Sequence, residues 1–210
     1  MIEPNKEVMP ANSELFVVVD KPEYKISKTS IERLLVWERI LFKDESGFFQ
    51  ELGRVDSISE VLGREVVIKQ WSLSYNLPGV LRGIHAEPQD KCITVLSGGP
   101  IFMAVVDIRP DSPTFGQCQA FTFDTRDPLT PRKTLFVENG LGNAFLVTGD
   151  VPVEYFYAVS DVYKSSEGKR AIRWNDPDVA VPWPEKPKIM SADDQDRHPY
   201  LRELYPVKFK

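Results

Sequence analysis

Lys91-Cys92-Ile93-Thr94-Val95-Leu96-Ser97-Gly98-Gly99-Pro100-Ile101-Phe102-Met103-Ala104-Val105-Val106-Asp107-Ile108 is the stretch that decides the fold. It holds two short apolar runs, 93–96 and 102–108, with Gly98-Gly99-Pro100 between them. Runs of this length and β-branched content suit buried strands, and Gly and Pro mark places where a chain turns. Outward in both directions the pattern repeats at 34–36, 66–68, 119–123, 134–137, 144–147 and 153–159, each bounded by Gly, Pro, Asn or Asp. With 17 prolines and 12 glycines to supply turns and edges, these brief strands predict an all-β, double-sheet jelly roll.

One helix signal interrupts the strands. Asp56 or Ser57 is expected as its N-cap, Ile58, Val61 and Leu62 as its apolar face, and Gly63 as its stop. Residues 1–27 are polar and broken by three prolines, and are expected to form an N-terminal arm laid over a body or a partner. Residues 28–210 then form a single domain with a C-terminal extension. From Trp174 onward, Asp176-Pro177, Pro182-Trp183-Pro184 and Lys186-Pro187 predict extended and turn structure, with a short helical turn after Ser191.

At 210 residues and 42% apolar content the chain is long enough for one domain with a real core. Its net charge is -5, with cations scattered among acids, so neither nucleic acid nor an anionic membrane is expected as a partner. No apolar run approaches the roughly 20 residues needed to span a bilayer, and the start lacks the order of a signal peptide; the expected location is cytoplasmic. Cys92 and Cys118 lie in or beside apolar runs and read as reduced thiols in or near the core.

The chain has two histidines, His85 and His198. His85 follows Gly79-Val80-Leu81-Arg82-Gly83-Ile84, with Lys91 six residues on. It reads either as a structural imidazole or as a base near pH 7, with Arg82 and Lys91 supplying charge for an anion. His198 sits in a charged tail and no His-x-His pair is present, so no metal and no cofactor are expected. In Val153-Glu154-Tyr155-Phe156-Tyr157-Ala158-Val159, alternation puts Tyr155 and Tyr157 on one face and Phe156 on the other.

The His85 segment, Ala104-Val105-Val106-Asp107-Ile108-Arg109, Ser112-Pro113-Thr114-Phe115-Gly116, Ile172-Arg173-Trp174-Asn175-Asp176-Pro177 and Met190-Ser191-Ala192-Asp193-Asp194 occur in that order. Together they resemble the dTDP-4-dehydrorhamnose 3,5-epimerase family of cupin-fold enzymes. The resemblance runs from about Ser27 to Leu201. It implies a double-stranded β-helix jelly roll with short peripheral helices. The implied reaction is a metal-free epimerisation at C3, C5 or both of a nucleotide-linked 4-keto-6-deoxy sugar, of the dTDP-4-dehydro-6-deoxyglucose type. By position in the family pattern, His85 matches the base, Tyr157 the acid on the opposite face, Lys91 the cation beside the developing oxyanion, and Asp194 the carboxylate that orients the histidine. Arg82 matches an arginine that holds substrate, Tyr163 an aromatic near the nucleotide, Phe48 and Glu51 contacts to its base, and Gln70 a polar contact there. The resemblance also implies a homodimer in which an N-terminal strand, here within 34–51, lends residues to the neighbouring pocket.

Three positions depart from the family pattern. Asn143 stands where a histidine is usual, and it bonds sugar oxygens without titrating near neutrality. Ser46 replaces an arginine, and Trp71-Ser72-Leu73 replaces Asp-Asn-His, so Ser72 takes a substrate-facing place. These departures leave open the nucleotide and the carbon inverted. The alternatives are an epimerase of a GDP-linked 4-keto heptose and a non-catalytic sugar-nucleotide-binding cupin.

Overall fold

The computed structural model describes residues 14–162 and 168–209. Among them the strands are β1 (Phe16–Asp20), β2 (Tyr24–Lys28), β3 (Leu34–Arg39), β4 (Phe42–Asp44) and β5 (Gly47–Phe49). Helix α1 (Val55–Leu62) precedes β6 (Gln70–Asn76), β7 (Leu81–Ala86), β8 (Lys91–Asp107), β9 (Cys118–Thr125), β10 (Lys133–Val137), β11 (Leu141–Val159) and β12 (Arg170–Ile172). A π-helical turn (Asp193–Arg197), α2 (Leu201–Leu204) and a 3-10 turn (Pro206–Phe209) close the chain.

The Gly98-Gly99-Pro100 break does not separate two strands. It is a bend inside β8, matched by a register shift between Val147 and Val151 in β11. Before the bend, β8 pairs with β10 and with the last part of β11; after it, β8 pairs with β9 and the first part of β11. Two layers result. One runs β1-β2-β3-β10-β8-β11-β6, the other β9-β8-β11-β7-β12, so the two long strands belong to both, in the manner of sheets cornered by bulged strands. Gly98 is held at φ +87°, and a Cβ there would stand 1.9 Å from the Pro152 carbonyl oxygen. Only glycine fits this corner.

Between the layers lies the main core: Leu34, Val36, Ile93, Val95, Leu135 and Val153 from one, Ile101, Met103, Val105, Phe145 and Val147 from the other. Full burial of each such side chain contributes roughly 1.5–3 kcal/mol. The outer face of the first layer is covered by α1, with Ile58 against Tyr24, Trp37 and Phe136. The outer face of the second is covered by the C-terminal segment, with Val179 and Leu201 against Ile84, Val106 and Ile172. The chain is thus the expected all-β jelly roll with short peripheral helices.

Several local expectations change. The 66–68 run is not a strand: Val66 packs into the α1 cluster and the segment has no ladder partner. The strand starts instead at Gln70, because Trp71, Leu73 and Tyr75 alternate with polar residues. Helix α1 begins earlier than expected. Its N-cap is Arg54, which makes no side-chain capping bond, while Asp56 lies in the first turn and Ser57 is taken up by the Tyr24 hydroxyl at 3.0 Å. Gly63 ends the helix in the left-handed conformation as expected. Within the stretch expected as an arm, residues 16–28 form the β1–β2 hairpin, and Tyr24 and Ile26 are buried against β3. No helix among the described residues is long and apolar enough to cross a membrane.

Candidate active site

Strand β7 lies against the first part of β11, with His85 opposite Asn143 and Arg82 opposite Phe145. Asn143 and Phe145 are two apart and share a face. Arg82 and His85 are three apart and in a regular strand would point to opposite faces. One extra residue on β7 between these pairs restores the match, so the bulge turns both Arg82 and His85 toward the interior face of the layer.

His85 Nε2 lies 2.7 Å from Asp194 Oδ1. The carboxylate accepts the Nε2–H and so fixes the tautomer, leaving Nδ1 as the nitrogen free to accept a proton. Asp194 is 2% exposed. Burial alone would raise its carboxyl, but bonds from His85, Ser191 and the Gly83 backbone bring it down to about 2. The capping turn supplies this geometry: Ser191 Oγ donates to Asp194 Oδ2 at 2.8 Å and accepts from the Asp194 N–H at 3.1 Å. Gly83 makes room for it, since a Cβ there would stand 2.3 Å from Asp194 Oδ1. His85 and Asp194, separated by more than a hundred residues, form a dyad as the resemblance implied.

The charged tail that holds His198 folds back onto the site. Arg173 draws the tail back over β12 by donating to the carbonyls of His198 at 2.9 Å and Asp196 at 2.8 Å. The His198 ring then stands edge-on to His85, 5.6 Å between centroids, with its Nε2 3.5 Å from Asp194 Oδ1. Burial and the neighbouring His85 lower its pKa. His85, Asp194 and His198 thus bring ligand-type atoms within 4.8 Å of one another without a His-x-His pair.

Lys91 begins β8 and shares the inward face of Ile93 and Val95. It is 7% exposed. Its ammonium is held by an ion pair with Glu87 and donates to Asn143 Oδ1 at 2.8 Å. Burial lowers the lysine pKa, with Glu87 pulling the other way. Burial would raise Glu87, but Lys91 overrides it and leaves that carboxyl below its usual range. Asn143 Nδ2 in turn donates to the Tyr155 hydroxyl at 3.4 Å, and the Tyr155 ring stands 6.0 Å from Tyr157. Burial pushes the Tyr155 phenol up, so it stays protonated. Tyr155 and Tyr157 do share the inward face, opposite Ser74 and Ser72 of β6. A continuous run of neighbours thus joins His85 through Asn143 to Lys91, Tyr155 and Tyr157.

The polar face of β6 walls the same space. Gln70 Nε2 donates to Ser72 Oγ at 3.0 Å, and Arg82 Nε reaches Asn76 Oδ1 at 3.4 Å. Phe48 and Glu51 are engaged elsewhere within the chain. Phe48 is 43% exposed beneath the Arg132 guanidinium, and Glu51 pairs with Arg39 and Arg54. Tyr163 lies outside the described residues. Glu87 and Asn76 are additions the sequence reading missed. Asn76 had a signal in the Gln70, Ser72, Ser74, Asn76 alternation; Glu87, four residues before Lys91 in a non-helical segment, had none.

An oriented imidazole, a buried ammonium and a phenol around one space suit proton removal next to a carbonyl, with the ammonium facing the enolate oxygen. The comparisons agree. The profile of the dTDP-4-dehydrorhamnose 3,5-epimerase family matches residues 28–203. The chain is 32% identical over 173 residues to the dTDP-4-dehydrorhamnose 3,5-epimerase of Shigella flexneri, covering 80% of this chain and 92% of that one. It superposes with a TM-score of 0.79 on a 4-keto-6-deoxy sugar epimerase from the novobiocin gene cluster of Streptomyces spheroides, at 27% identity over 91% and 94% of the two chains. With a Legionella pneumophila dTDP-6-deoxy-D-glucose-3,5-epimerase, solved in complex with dTDP-4-keto-L-rhamnose, the TM-score is 0.77 at 29% identity over 88% and 96%. Fold, ordered motifs and site geometry converge, and the chain belongs to the dTDP-4-dehydrorhamnose 3,5-epimerase family.

Proposed function

We propose that this isomerase inverts C3, C5 or both of a thymidine-diphosphate-linked 4-keto-6-deoxy sugar, with His85 as base and Tyr157 as acid. The observation that carries the reading is the His85–Asp194 dyad on the same interior space as Lys91 and Tyr157. The C4 ketone acidifies the neighbouring C–H bonds. His85 Nδ1 takes the proton, the electron pair moves into the C–C bond as the carbonyl becomes an enolate, and Lys91 faces the oxyanion. Tyr157 then returns a proton to the opposite face of the same carbon, and the ketone re-forms. Arg82, Asn143, Gln70 and Ser72 bind the substrate. The relatives favour the thymidine-linked sugar over a GDP-linked heptose, and the intact dyad favours catalysis over binding alone.

The proposal includes a homodimer with an exchanged N-terminal strand. The β4–β5 hairpin carries exposed Phe42, Phe48 and Phe49, and this apolar face supports a place against the partner's pocket. It also includes the cytoplasmic setting expected above; both cysteines are free, as in a reducing compartment.

The test is deuterium wash-in. The protein is incubated in heavy water with dTDP-4-keto-6-deoxyglucose, and with the guanosine analogue, and C3 and C5 are read by NMR. Label with the thymidine substrate is expected; no label at either carbon overturns the reading. Light scattering that finds an active monomer removes the dimer.

A further inference from the structure

The reaction proposed above uses His85 with Asp194 and gives His198 no role. Its Nε2 is buried and has no hydrogen-bond partner, although a buried imidazole nitrogen left unpaired costs free energy. It stands 3.5 Å from Asp194 Oδ1, the oxygen that His85 Nε2 meets at 2.7 Å. Two imidazoles and a carboxylate therefore converge from three positions of the chain, with all three ligand atoms inside 4.8 Å.

We propose that His85, Asp194 and His198 form a Zn2+ site, and that the ion, when bound, stops the enzyme by disarming its base. A zinc ion bonded to each atom at about 2.0–2.1 Å needs them roughly 3.3 Å apart. Two of the three pairs, at 2.7 and 3.5 Å, bracket that spacing, and the two imidazole nitrogens lie within 4.8 Å of each other. The donor set, two imidazole nitrogens and one carboxylate oxygen, is one that zinc favours, and it leaves a fourth position open to water. Gly83 lets the backbone of β7 pack close against the Asp194 carboxylate, and Ser191 holds its second oxygen, a supporting bond of the kind that orients metal ligands.

The inhibition follows from proton placement. In the free enzyme the His85 proton is on Nε2, shared with Asp194, and Nδ1 is basic. Zinc takes the Nε2 lone pair, so the ring proton moves to Nδ1, with no net change in protons. The nitrogen that accepts the substrate proton is then already protonated. His198 Nε2, which has no hydrogen-bond partner, gives up no hydrogen bond in becoming a ligand.

The zinc-binding part stands on the geometry alone, while the inhibition rests on the function proposed above. Untagged, metal-stripped protein is dialysed to equilibrium against Zn2+ at several micromolar levels, as wild type, His198→Gln and His85→Gln. One zinc per chain is expected in the wild type, with affinity lowered about tenfold or more in each variant. No stoichiometric zinc, or equal binding by wild type and His198→Gln, overturns the site. Deuterium wash-in is then repeated with and without zinc: metal-free His198→Gln is expected to exchange like the wild type and to resist zinc at levels that silence the wild type. Equal inhibition of both proteins overturns the switch. Zinc bound as expected by a protein that exchanges no deuterium in its metal-free form would leave the site standing and remove the epimerase reading.

Discussion

Arg82 and His85 lie three residues apart on one strand yet face the same side of it. The match of Phe145 with Arg82 and of Asn143 with His85 requires one unpaired residue between them. The Gly83 region is where that residue is accommodated, and it is also where Asp194 approaches most closely. One local irregularity therefore aims the substrate-holding guanidinium and the base at the same space and opens the path for the base's carboxylate.

Replacing Gly83 with Ala tests this arrangement. The new methyl group would overlap Asp194 Oδ1, and overpacking of this kind costs typically about 1–3 kcal/mol. The expected result is a lowered melting temperature together with a fall in deuterium exchange larger than the loss of folded protein explains. Unchanged exchange in a folded variant would mean that Asp194 does not need this approach.

His85→Asn is expected to lower exchange by about 10²–10⁴-fold, the usual contribution of a positioned base. Tyr157→Phe removes the returning acid. It is expected to retain proton loss from the labelled carbon while failing to invert it, which a substrate deuterated at C3 or C5 distinguishes by NMR.

Lys91→Met keeps most of the length of the side chain and removes the charge, and is expected to lower kcat by about 10²–10³-fold with a smaller change in KM. Asn143 touches this ammonium and stands opposite the base. Asn143→His is therefore expected to change the ratio of label at C3 to label at C5. An unchanged ratio would remove Asn143 from the choice of carbon.

Asp194 links the site to acid stability. Its carboxyl falls from the ordinary 3.8 to about 2 on folding, so the stabilisation it contributes is complete above about pH 4 and is lost as the pH falls toward 2. The amount is about 2 kcal/mol. Urea titrations at pH 7 and pH 2.5 are expected to show Asp194→Asn losing less stability between the two than the wild type.

The corner of the two layers gives a prediction remote from the chemistry. Gly98→Ala places a Cβ against the Pro152 carbonyl and forces a left-handed φ on a residue that disfavours it. Loss of soluble protein, or a melting point well below the wild type, is expected.

The layered fold was legible because apolar runs alternate with Gly and Pro; His85, Lys91 and Tyr157 stood out from their local sequence, while the place of Asp194 beside His85 came only from the resemblance. The unity of β8 was hidden, since Gly98-Gly99-Pro100 reads as a turn and acts as a bend. β6 was hidden because it is built inside out: Gln70, Ser72, Ser74 and Asn76 line the site while Trp71, Leu73 and Tyr75 are 74%, 58% and 64% exposed. The nearness of His198 to His85 was hidden because it depends on Arg173 gripping the tail's carbonyls, a contact with no local pattern.

The sharing of β8 and β11 between both layers also governs how the chain reaches this state. β3 must find β10, with Leu34 opposite Val137 about a hundred residues away in sequence, and such distant pairings form late because closing the loop loses entropy before contacts repay it. Neither layer can be finished ahead of the other, since each lacks half of the same two strands. Refolding from urea is therefore expected to be a single slow event in which both layers, and the space between them, come into being together.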